Sequence, residues 1–166
     1  MQVTNLDLRP EALGKPLHQV GHATGFQVTT HAIGDRDNRE ILDLYERVWD
    51  RMDVDGSKLR WRIEHAQHIQ PEDVPRFGEL GIIASMEPPH AMEDKPWAED
   101  RLGPERILGA YAWRSLRKSG ADITFNADNP GSDHSIFYGL HSAITRQDKN
   151  REPEGGWYAE QRLSSE

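Results

Sequence analysis

Four short apolar or β-branched runs alternate with amphipathic helical stretches along this chain, and this order limits its fold more than any other feature. Strands that alternate with helices are typical of parallel βαβ units, because a parallel strand needs a crossover connection that a helix supplies. The runs cover residues 26–31, 59–65, 81–86 and 121–125. The pattern predicts one α/β domain over residues 1–166, with a leading helix in 1–24, four βα units in 25–147 and a loop-like tail in 148–166.

The first helix after a strand has the clearest pattern. Asp37 or Asn38 is its expected N-cap, because both side chains accept hydrogen bonds from free backbone N–H groups. Its apolar side chains recur at helical spacing and form one stripe, which consists of Ile41, Leu44, Tyr45, Val48, Trp49 and Met52. A helix with one apolar stripe packs against a sheet or another helix.

The later helices are predicted from shorter patterns. The second should have Pro71 in its first turn, where proline is tolerated, and its apolar face consists of Val74, Phe77 and Leu80. The third should begin at Pro104 and end at Gly120, since glycine is common just after a helix. The fourth should contain the apolar residues Ile136, Phe137, Leu140 and Ile144.

Length and charge narrow the class of protein. The 166 residues suit one domain but fall well short of a full eight-stranded α/β barrel, which takes roughly 250 residues. The net charge of −8 argues against nucleic acid or an anionic membrane as a partner. The absence of cysteine excludes a zinc–thiolate site and fits a reducing compartment. Since no signal peptide or membrane span is recognisable either, we expect a cytoplasmic protein.

Three residues with side chains suited to metal binding lie at or just beyond predicted strand ends: His31, His65 and Asp128. The separation of the two histidines is close to one barrel unit of about 31 residues, and that of His65 and Asp128 is close to two. The carboxyl ends of parallel strands in such a fold meet at one face, so the three side chains should converge. Two imidazoles and a carboxylate are an ordinary ligand set for zinc or another divalent metal.

Each of these residues also has a structural interpretation. A single histidine at a strand end is more often a hydrogen-bonded structural residue than a ligand, and an aspartate after a strand is often the N-cap of the next helix. His68 lies in a loop before a proline and is expected at the surface. The remaining candidates are expected to be solvent-exposed or packed rather than ligands; they are His18, His22 and His141.

The sequence around the strand ends favours the metal-site interpretation. Several unlike segments, in order, resemble motifs of the amidohydrolase superfamily, in the branch called amidohydrolase family 3 that includes N-substituted formamide deformylases. The main segments are Thr30-His31-Ala32-Ile33-Gly34, Arg62-Ile63-Glu64-His65-Ala66-Gln67 and Ser85-Met86-Glu87-Pro88-Pro89-His90. The resemblance begins at about Gly25 and covers nearly all of the chain that follows. It implies a partial TIM barrel, in which the four βα units correspond to barrel strands five to eight.

The resemblance also implies roles for individual residues. His31 and His65 would be metal ligands at the ends of strands five and six, and Asp128 would contact the metal and carry the proton. The implied cofactor is a divalent metal, most commonly zinc, and the implied reaction is metal-assisted hydrolysis of an amide or formamide C–N bond. Asp128 would accept a proton from water and return it to the leaving nitrogen. Glu87 and His90 are expected to bind the substrate.

The chain departs from the family pattern at several positions. It has no His-x-His pair, with which the family begins its metal site, and the family's strand-four ligand would precede its first strand. The family commonly has Gly-Ser-Asp-x-Pro where this chain has Asn126-Ala127-Asp128-Asn129-Pro130. Glu87 replaces a frequent glutamine and adds a negative charge. Two alternatives therefore remain: a catalytically incomplete fragment or subunit that completes a split barrel, and an unrelated α/β binding domain.

Half a barrel has consequences for assembly. Its first and last strands would be open edges, which recruit other strands unless something covers them. We also expect four strand residues to face a barrel interior with half of its packing layers missing: Val28, Ile63, Ile83 and Thr124. The chain should therefore pair with a second copy to form a homodimer, pair with an N-terminal half, or aggregate.

Overall fold

The computed structural model describes residues 25–164, in which four parallel strands form one sheet. The strands are β1 (Thr29–Ala32), β2 (Arg62–His65), β3 (Ile83–Met86) and β4 (Ile123–Phe125), and they neighbour one another in sequence order. A helical segment follows every strand. The fold is thus the predicted α/β arrangement, and sequential parallel strands with helical crossovers are consistent with part of a TIM barrel. The predicted leading helix lies outside the described residues.

Six α-helices connect or follow these strands within the described part of the chain. They are α1 (Asp35–Met52), α2 (Val74–Leu80), α3 (Pro88–Asp94), α4 (Ala98–Arg106), α5 (Trp113–Lys118) and α6 (Ile136–Thr145). Short 3₁₀ turns lie at Gly56–Lys58, Ile107–Gly109 and Ala159–Gln161.

Helix α1 buries the stripe that its sequence predicts, with five of the six apolar side chains buried and Met52 half-buried. Its N-cap, however, is Gly34, and no side chain caps it, so the prediction of Asp37 or Asn38 is wrong. Asn38 lies inside the helix and is fully buried. Its amide nitrogen donates to the carbonyls of Gly34 and His68, at 2.9 Å and 3.2 Å. Asn38 therefore anchors the loop after β2 to the start of α1.

The predicted start of the second helix and the predicted continuity of the third are also wrong. Pro71 precedes α2 in a turn, and Pro75 occupies the first turn of the helix instead. The single helix predicted from Pro104 to Gly120 is interrupted, because Tyr111 adopts a left-handed conformation with φ of 50°. That conformation directs the Tyr111 amide to the Gln67 carbonyl at 2.7 Å, a bond that a continuous helix would forbid.

The end of this helical region was predicted correctly. Gly120 has φ of 88°, and its N–H donates to the Arg117 carbonyl at 3.1 Å. The next amide, that of Ala121, donates to the Leu116 carbonyl at 3.1 Å. These two bonds form the Schellman arrangement that ends α5 and directs the chain into β4.

The two faces of the sheet have different character. Thr30, Ile63 and Ala84 are aligned by the strand register and therefore share one face. The Thr30 hydroxyl lies 2.6 Å from the Tyr45 hydroxyl of α1, so helices cover this face. Tyr45, in turn, packs edge-on against Trp61 with ring centroids 4.9 Å apart. This is the apolar core of the described chain.

The opposite face, which is the interior face of a barrel, is largely polar. Glu64 accepts hydrogen bonds there from Thr29 and Arg62, at 2.5 Å and 2.6 Å. Burial alone would raise the pKa of Glu64, but the hydrogen bonds from Arg62, Ser85 and Thr29 outweigh it and lower that pKa.

The prediction that four residues face the barrel interior is therefore half wrong. Register places Ile83 and Thr124 on the polar face, on the same side as Glu64 and Ser85. Val28 and Ile63 lie on the helix-covered face, because a shift of one position along a strand reverses the direction of the side chain.

The last helix leaves its apolar side chains in solvent. Ile136 and Phe137 of α6 are 76% and 84% exposed, and Leu140 and Ile144 are also exposed. The described part of the tail beyond α6 is mostly irregular, yet backbone hydrogen bonds join it to the rest: the Trp157 amide donates to the Arg146 carbonyl at 2.8 Å and the Leu163 amide to the Ala143 carbonyl at 3.1 Å. Within residues 25–164, none of the helices has the length and apolarity needed to cross a membrane.

Candidate metal centre

The carboxyl ends of β1 and β2 bring two histidines into contact. The register pairs His31 with Glu64 and Ala32 with His65, so His65 lies one position further along the sheet than His31. Their ring centroids are 4.4 Å apart, with an interplanar angle of 73°. His31 is exposed, whereas His65 retains 7% of its accessible surface.

The backbone turns sharply at His65. His65 and Ala66 have φ of 70° and 44°, a left-handed conformation that costs energy for residues other than glycine. Bonds on both sides of the turn hold the following loop: the His68 amide donates to Ile33 at 3.0 Å, and the Gln67 carbonyl accepts from Tyr111 at 2.7 Å. These bonds fix the direction in which the His65 side chain leaves the end of β2.

Glu87 lies beneath His65, one residue beyond the end of β3. Its side chain is 2% exposed, and its Oε2 atom lies 2.9 Å from Nδ1 of His65 and 3.7 Å from Nδ1 of His90. The His90 ring stacks against that of His65, with centroids 5.7 Å apart and 12° between the planes. The three side chains form a compact group in which all ligand atoms lie within 4.8 Å of one another.

The contact between His65 and Glu87 is close but poorly aligned. Nδ1 of His65 has no hydrogen-bond partner of suitable geometry in the described chain, although Glu87 Oε2 is at ion-pair distance. The Glu87 carboxylate raises the pKa of His65, and burial of the ring opposes this effect. Asp128 and Glu64 raise the pKa of His65 further through their charges.

Asp128 follows β4 in a turn, with φ of 47°. Its amide donates to the Asn126 side chain at 2.8 Å, and its carbonyl accepts from Gly131 at 2.5 Å. Ser135 caps α6 by accepting from the Tyr138 amide at 3.3 Å, so Asp128 is not the N-cap of that helix. The Asp128 carboxylate is exposed and makes no hydrogen bond or ion pair within residues 25–164.

The structure thus brings the predicted residues to one end of the sheet without gathering them into one ligand set. His31 contacts His65, and Asp128 is near enough to affect its charge. Neither belongs to the compact group, which contains Glu87 and His90 instead. The sequence did not predict the contact of Glu87 with His65. That contact depends on the register of β2 and β3, which pairs Glu64 with Ser85 and places the two strand ends side by side.

His68 and His141 lie in different surroundings from the histidines of this group. His68 was expected at the surface, and this is wrong: 7% of it is exposed, and burial lowers its pKa to about 4. His141 is half-buried, and its Nε2 atom lies 3.2 Å from the Asp148 carbonyl oxygen. His18 and His22 lie outside the described residues.

The donor atoms at this end of the sheet suit a divalent metal. Imidazole nitrogens and carboxylate oxygens are the usual ligands of zinc and similar ions. A buried imidazole nitrogen without an aligned hydrogen-bond partner, as in His65, is the kind of atom that a cation would satisfy.

Residues 16–165 match the sequence model of the amidohydrolase family. Among curated relatives, the protein LONG AFTER FAR-RED 3 of Arabidopsis thaliana is 38% identical over 125 residues, which are 74% of this chain and 21% of that protein. The putative amidohydrolase YtcJ of Bacillus subtilis (strain 168) is 29% identical over 142 residues, 86% of this chain and 26% of that protein. The chain thus spans about a quarter or less of either relative.

Solved structures share the fold. A metal-dependent hydrolase of Pyrococcus horikoshii OT3 aligns with a TM-score of 0.75 at 25% identity, covering 98% of this chain and 31% of that one. Atrazine chlorohydrolase TrzN of Arthrobacter aurescens TC1, solved with zinc and atraton, aligns with a TM-score of 0.55 at 18% identity, covering 92% of this chain and 32% of that one. The similarity to atrazine chlorohydrolase shows a shared fold and nothing more.

Proposed function

The chain belongs to the amidohydrolase family, and from this we propose that it forms part of a metal-dependent hydrolase that cleaves the C–N bond of a small amide-type or formamide-type molecule. The observation that carries the proposal is the contact of His31 with His65, at the carboxyl ends of two adjacent parallel strands. Active sites of (β/α) barrels lie at the carboxyl ends of the strands. The formamide deformylase-like motifs at the strand ends support the choice of substrate.

His31, His65 and Asp128 would hold the divalent metal, for which zinc is the first choice because the ligands are imidazole and carboxylate. A bound ion there would polarise a carbonyl and acidify water. His65 is already fixed in position by burial and by the anchored loop behind it. His31 and Asp128 are exposed, so both side chains remain free to adjust to an ion and a substrate.

Asp128 would act as the proton carrier. Its carboxylate has no competing partner in the described chain, so it can accept a proton from water as the water oxygen adds to the carbonyl carbon. The same proton then passes to the nitrogen as the C–N bond breaks, which yields a carboxylic acid and an amine. One water molecule is consumed, and Asp128 returns to its starting charge.

Glu87 and His90 would form the β3 side of the substrate site. The His90 side chain is 16% exposed and borders the open end of the sheet, where a substrate carbonyl can approach. The Glu87 side chain is nearly enclosed, so its effect on substrate would pass through the two histidines that it contacts. The acidic chain, with its net charge of −8, suits a neutral or cationic small molecule better than a nucleic acid or anionic membrane. Cytoplasmic location remains part of this proposal, since a cysteine-free chain fits a reducing compartment.

A second candidate is that this chain alone is catalytically incomplete and supplies one half of a split barrel. The exposed apolar side chains of α6 favour it, because Ile136 and Phe137 are largely in solvent beside β4, the last strand of the sheet. The partner would be either an N-terminal half-barrel or a second copy of this chain. Both would cover the open edge strand and the apolar helix face together.

The test compares the purified chain, with zinc added, and the same chain joined to the half-barrel encoded by any reading frame upstream of Met1. The substrates are a panel of N-formyl and N-acetyl amines, and the released amine is quantified. Asp128→Asn should lower the rate by about 10²-fold or more. Asp122→Asn is the matched control, since Asp122 is an exposed carboxylate before β4, away from the carboxyl end.

Activity of the joined form but not of the chain alone would support the split-barrel candidate. A joined, zinc-loaded protein that releases no amine from any panel member would refute C–N hydrolysis. So would an Asp128→Asn variant as active as the Asp122→Asn control.

A further inference from the structure

We propose that His65, Glu87 and His90 form a divalent-cation site that this chain builds by itself, with a zinc-like ion as the ligand. The site goes beyond the proposed function, because it needs neither His31 nor Asp128 nor any residue outside residues 65–90. It shares only His65 with the proposed catalytic centre. Its remaining ligands are Glu87, which lies between β3 and α3, and His90 in the first turn of α3.

The first observation is the burial of Glu87. Its side chain is 2% exposed, and within residues 25–164 its charged contacts are the two histidines. A buried carboxylate without a full positive charge nearby is costly, and the described chain places no lysine or arginine against it. A divalent cation between the three side chains would supply that charge.

The second observation is the geometry of the contact. Ligand atoms that lie about 2.0–2.2 Å from one zinc ion are about 3–3.5 Å apart. Oε2 of Glu87 is 2.9 Å from Nδ1 of His65 and 3.7 Å from Nδ1 of His90, which brackets that range. Two atoms that share an ion point at the ion and not at each other.

The third observation is the orphaned nitrogen. Nδ1 of His65 lacks an aligned hydrogen-bond partner in the described chain despite its 2.9 Å distance from the Glu87 carboxylate. A simple histidine–carboxylate hydrogen bond at that distance would be aligned, since an N–H donor strongly prefers a straight approach. The misalignment is what a cation between the two groups explains.

The proposal gives Glu87 and His90 a more specific task than direct contact with substrate. A cation held by these residues lies next to the proposed centre, so a substrate carbonyl would meet the ion before it met the carboxylate. Glu87 is then the residue that retains an ion in this chain when other parts of a barrel are absent.

The experiment is a zinc titration of the full 166-residue chain after treatment with a chelator, followed by calorimetry and by competition with a chromogenic chelator. Cobalt(II) serves as a second probe, because its absorption spectrum reports nitrogen and oxygen coordination. Glu87→Gln keeps the size of the side chain but removes its charge, and His90→Gln removes one imidazole. Each should weaken zinc binding by about tenfold or more. Circular dichroism of each variant verifies that it is folded.

His134→Gln is the matched control, because it alters an exposed histidine that belongs to neither proposed site. It should bind zinc as the unmodified chain does. Wild-type affinity in folded Glu87→Gln would overturn the proposal, because glutamine can replace a hydrogen-bond acceptor but not an anionic ligand. Loss of binding in His134→Gln would also overturn it, since the ion would then lie at another histidine.

The result of the zinc titration does not depend on whether the proposed hydrolytic function is correct. Zinc binding that depends on Glu87 can be observed in a protein that hydrolyses nothing. Conversely, amide hydrolysis by a joined barrel would stand even if Glu87→Gln bound zinc normally.

Discussion

The imidazole of His68 meets the ring of Tyr111 edge-on, with centroids 5.8 Å apart and 78° between the planes. Both residues are buried, and the backbone around them is paired: His68 forms an isolated bridge with Ala110. This contact joins the loop after β2 to the segment before α5. Since the same loop directs His65 toward the candidate metal centre, the stability of the His68 contact bears on the site.

The buried His68 predicts a specific dependence of stability on pH. Burial lowers its pKa to about 4, whereas an unfolded histidine has a pKa near 6.5. The folded state therefore keeps His68 neutral while the unfolded state takes up a proton. The stability contributed by this difference is complete above about pH 6.5 and is lost as the pH falls toward 4, by up to about 3 kcal/mol.

His68→Phe should remove this loss, because phenylalanine keeps the edge-on ring contact and does not titrate. Urea unfolding at intervals from pH 7.5 to 4.5 measures the free energy of unfolding of both proteins. The gap between them should widen in favour of His68→Phe as the pH falls. Parallel curves would mean that His68 takes up its proton over the same pH range in the folded and the unfolded chain, which contradicts the prediction. His134→Phe controls for an exposed ring.

The sequence placed His68 at the surface because it follows a strand and precedes a proline, which is usually loop. What buries it is distant in sequence. Its carbonyl accepts from Asn38, and Tyr111 covers its ring. Neither contact has a local signature, so periodicity and turn residues contain no information about it.

Features that depend on neighbouring residues were predictable. The alternation of strands and helices, the stripe of α1 and the glycine after α5 all follow from local rules of period and backbone conformation. The strand ends at His31 and His65 were also predictable, because consecutive parallel strands place equivalent positions together. The wrong predictions for Val28 and Ile63 show the limit of local rules. A strand of four residues does not reveal which of its alternating side chains face the interior of the barrel.

The region between β3 and α5 was the least predictable. Tyr111 breaks the expected helix because its amide bonds to Gln67, far away in the sequence. Its hydroxyl also donates to Asp94 at 2.5 Å, and Gln67 donates to the same carboxylate oxygen at 2.6 Å. A polar network of this kind replaces helical hydrogen bonds with tertiary ones, and a helical period cannot anticipate that exchange.

Arg146 offers a second test, directed at the tail. It is fully buried, and its guanidinium lies between the rings of Trp113 and Trp157, 4.4 Å and 5.1 Å from their centroids. It donates to the carbonyls of Tyr111 and Trp157, at 3.0 Å and 2.8 Å. Burial lowers its pKa to about 10, so the group still carries its charge at neutral pH.

Arg146→Lys should lower the free energy of unfolding by about 2–4 kcal/mol, because an ammonium group cannot stack between two rings and donate to both carbonyls. Thermal and urea unfolding measure the change. Arg114→Lys, at an exposed position in α5, should change stability by less than about 0.5 kcal/mol. Equal effects of the two substitutions would show that the planar guanidinium is not what joins the tail to the helices.

The exposed face of α6 predicts self-association of the isolated chain. Phe137 is 84% exposed and Leu140 49%, and a groove of about 310 Å³ between α6 and the end of β4 is lined by apolar groups that include Phe125. Apolar surface of this kind is removed from water when two molecules associate. Phe137→Ser with Leu140→Ser should therefore shift the chain toward monomer in sedimentation velocity runs over a range of concentrations. It should leave the unfolding transition of the monomer nearly unchanged, because neither side chain is buried.

Leu108→Ser is the matched control, since Leu108 is 56% exposed but lies outside α6 and the groove, and it should not alter the oligomer distribution. An unmodified chain that sediments as a monomer at every concentration would contradict this prediction, as would a Leu108→Ser variant that dissociates to the same extent as the double variant.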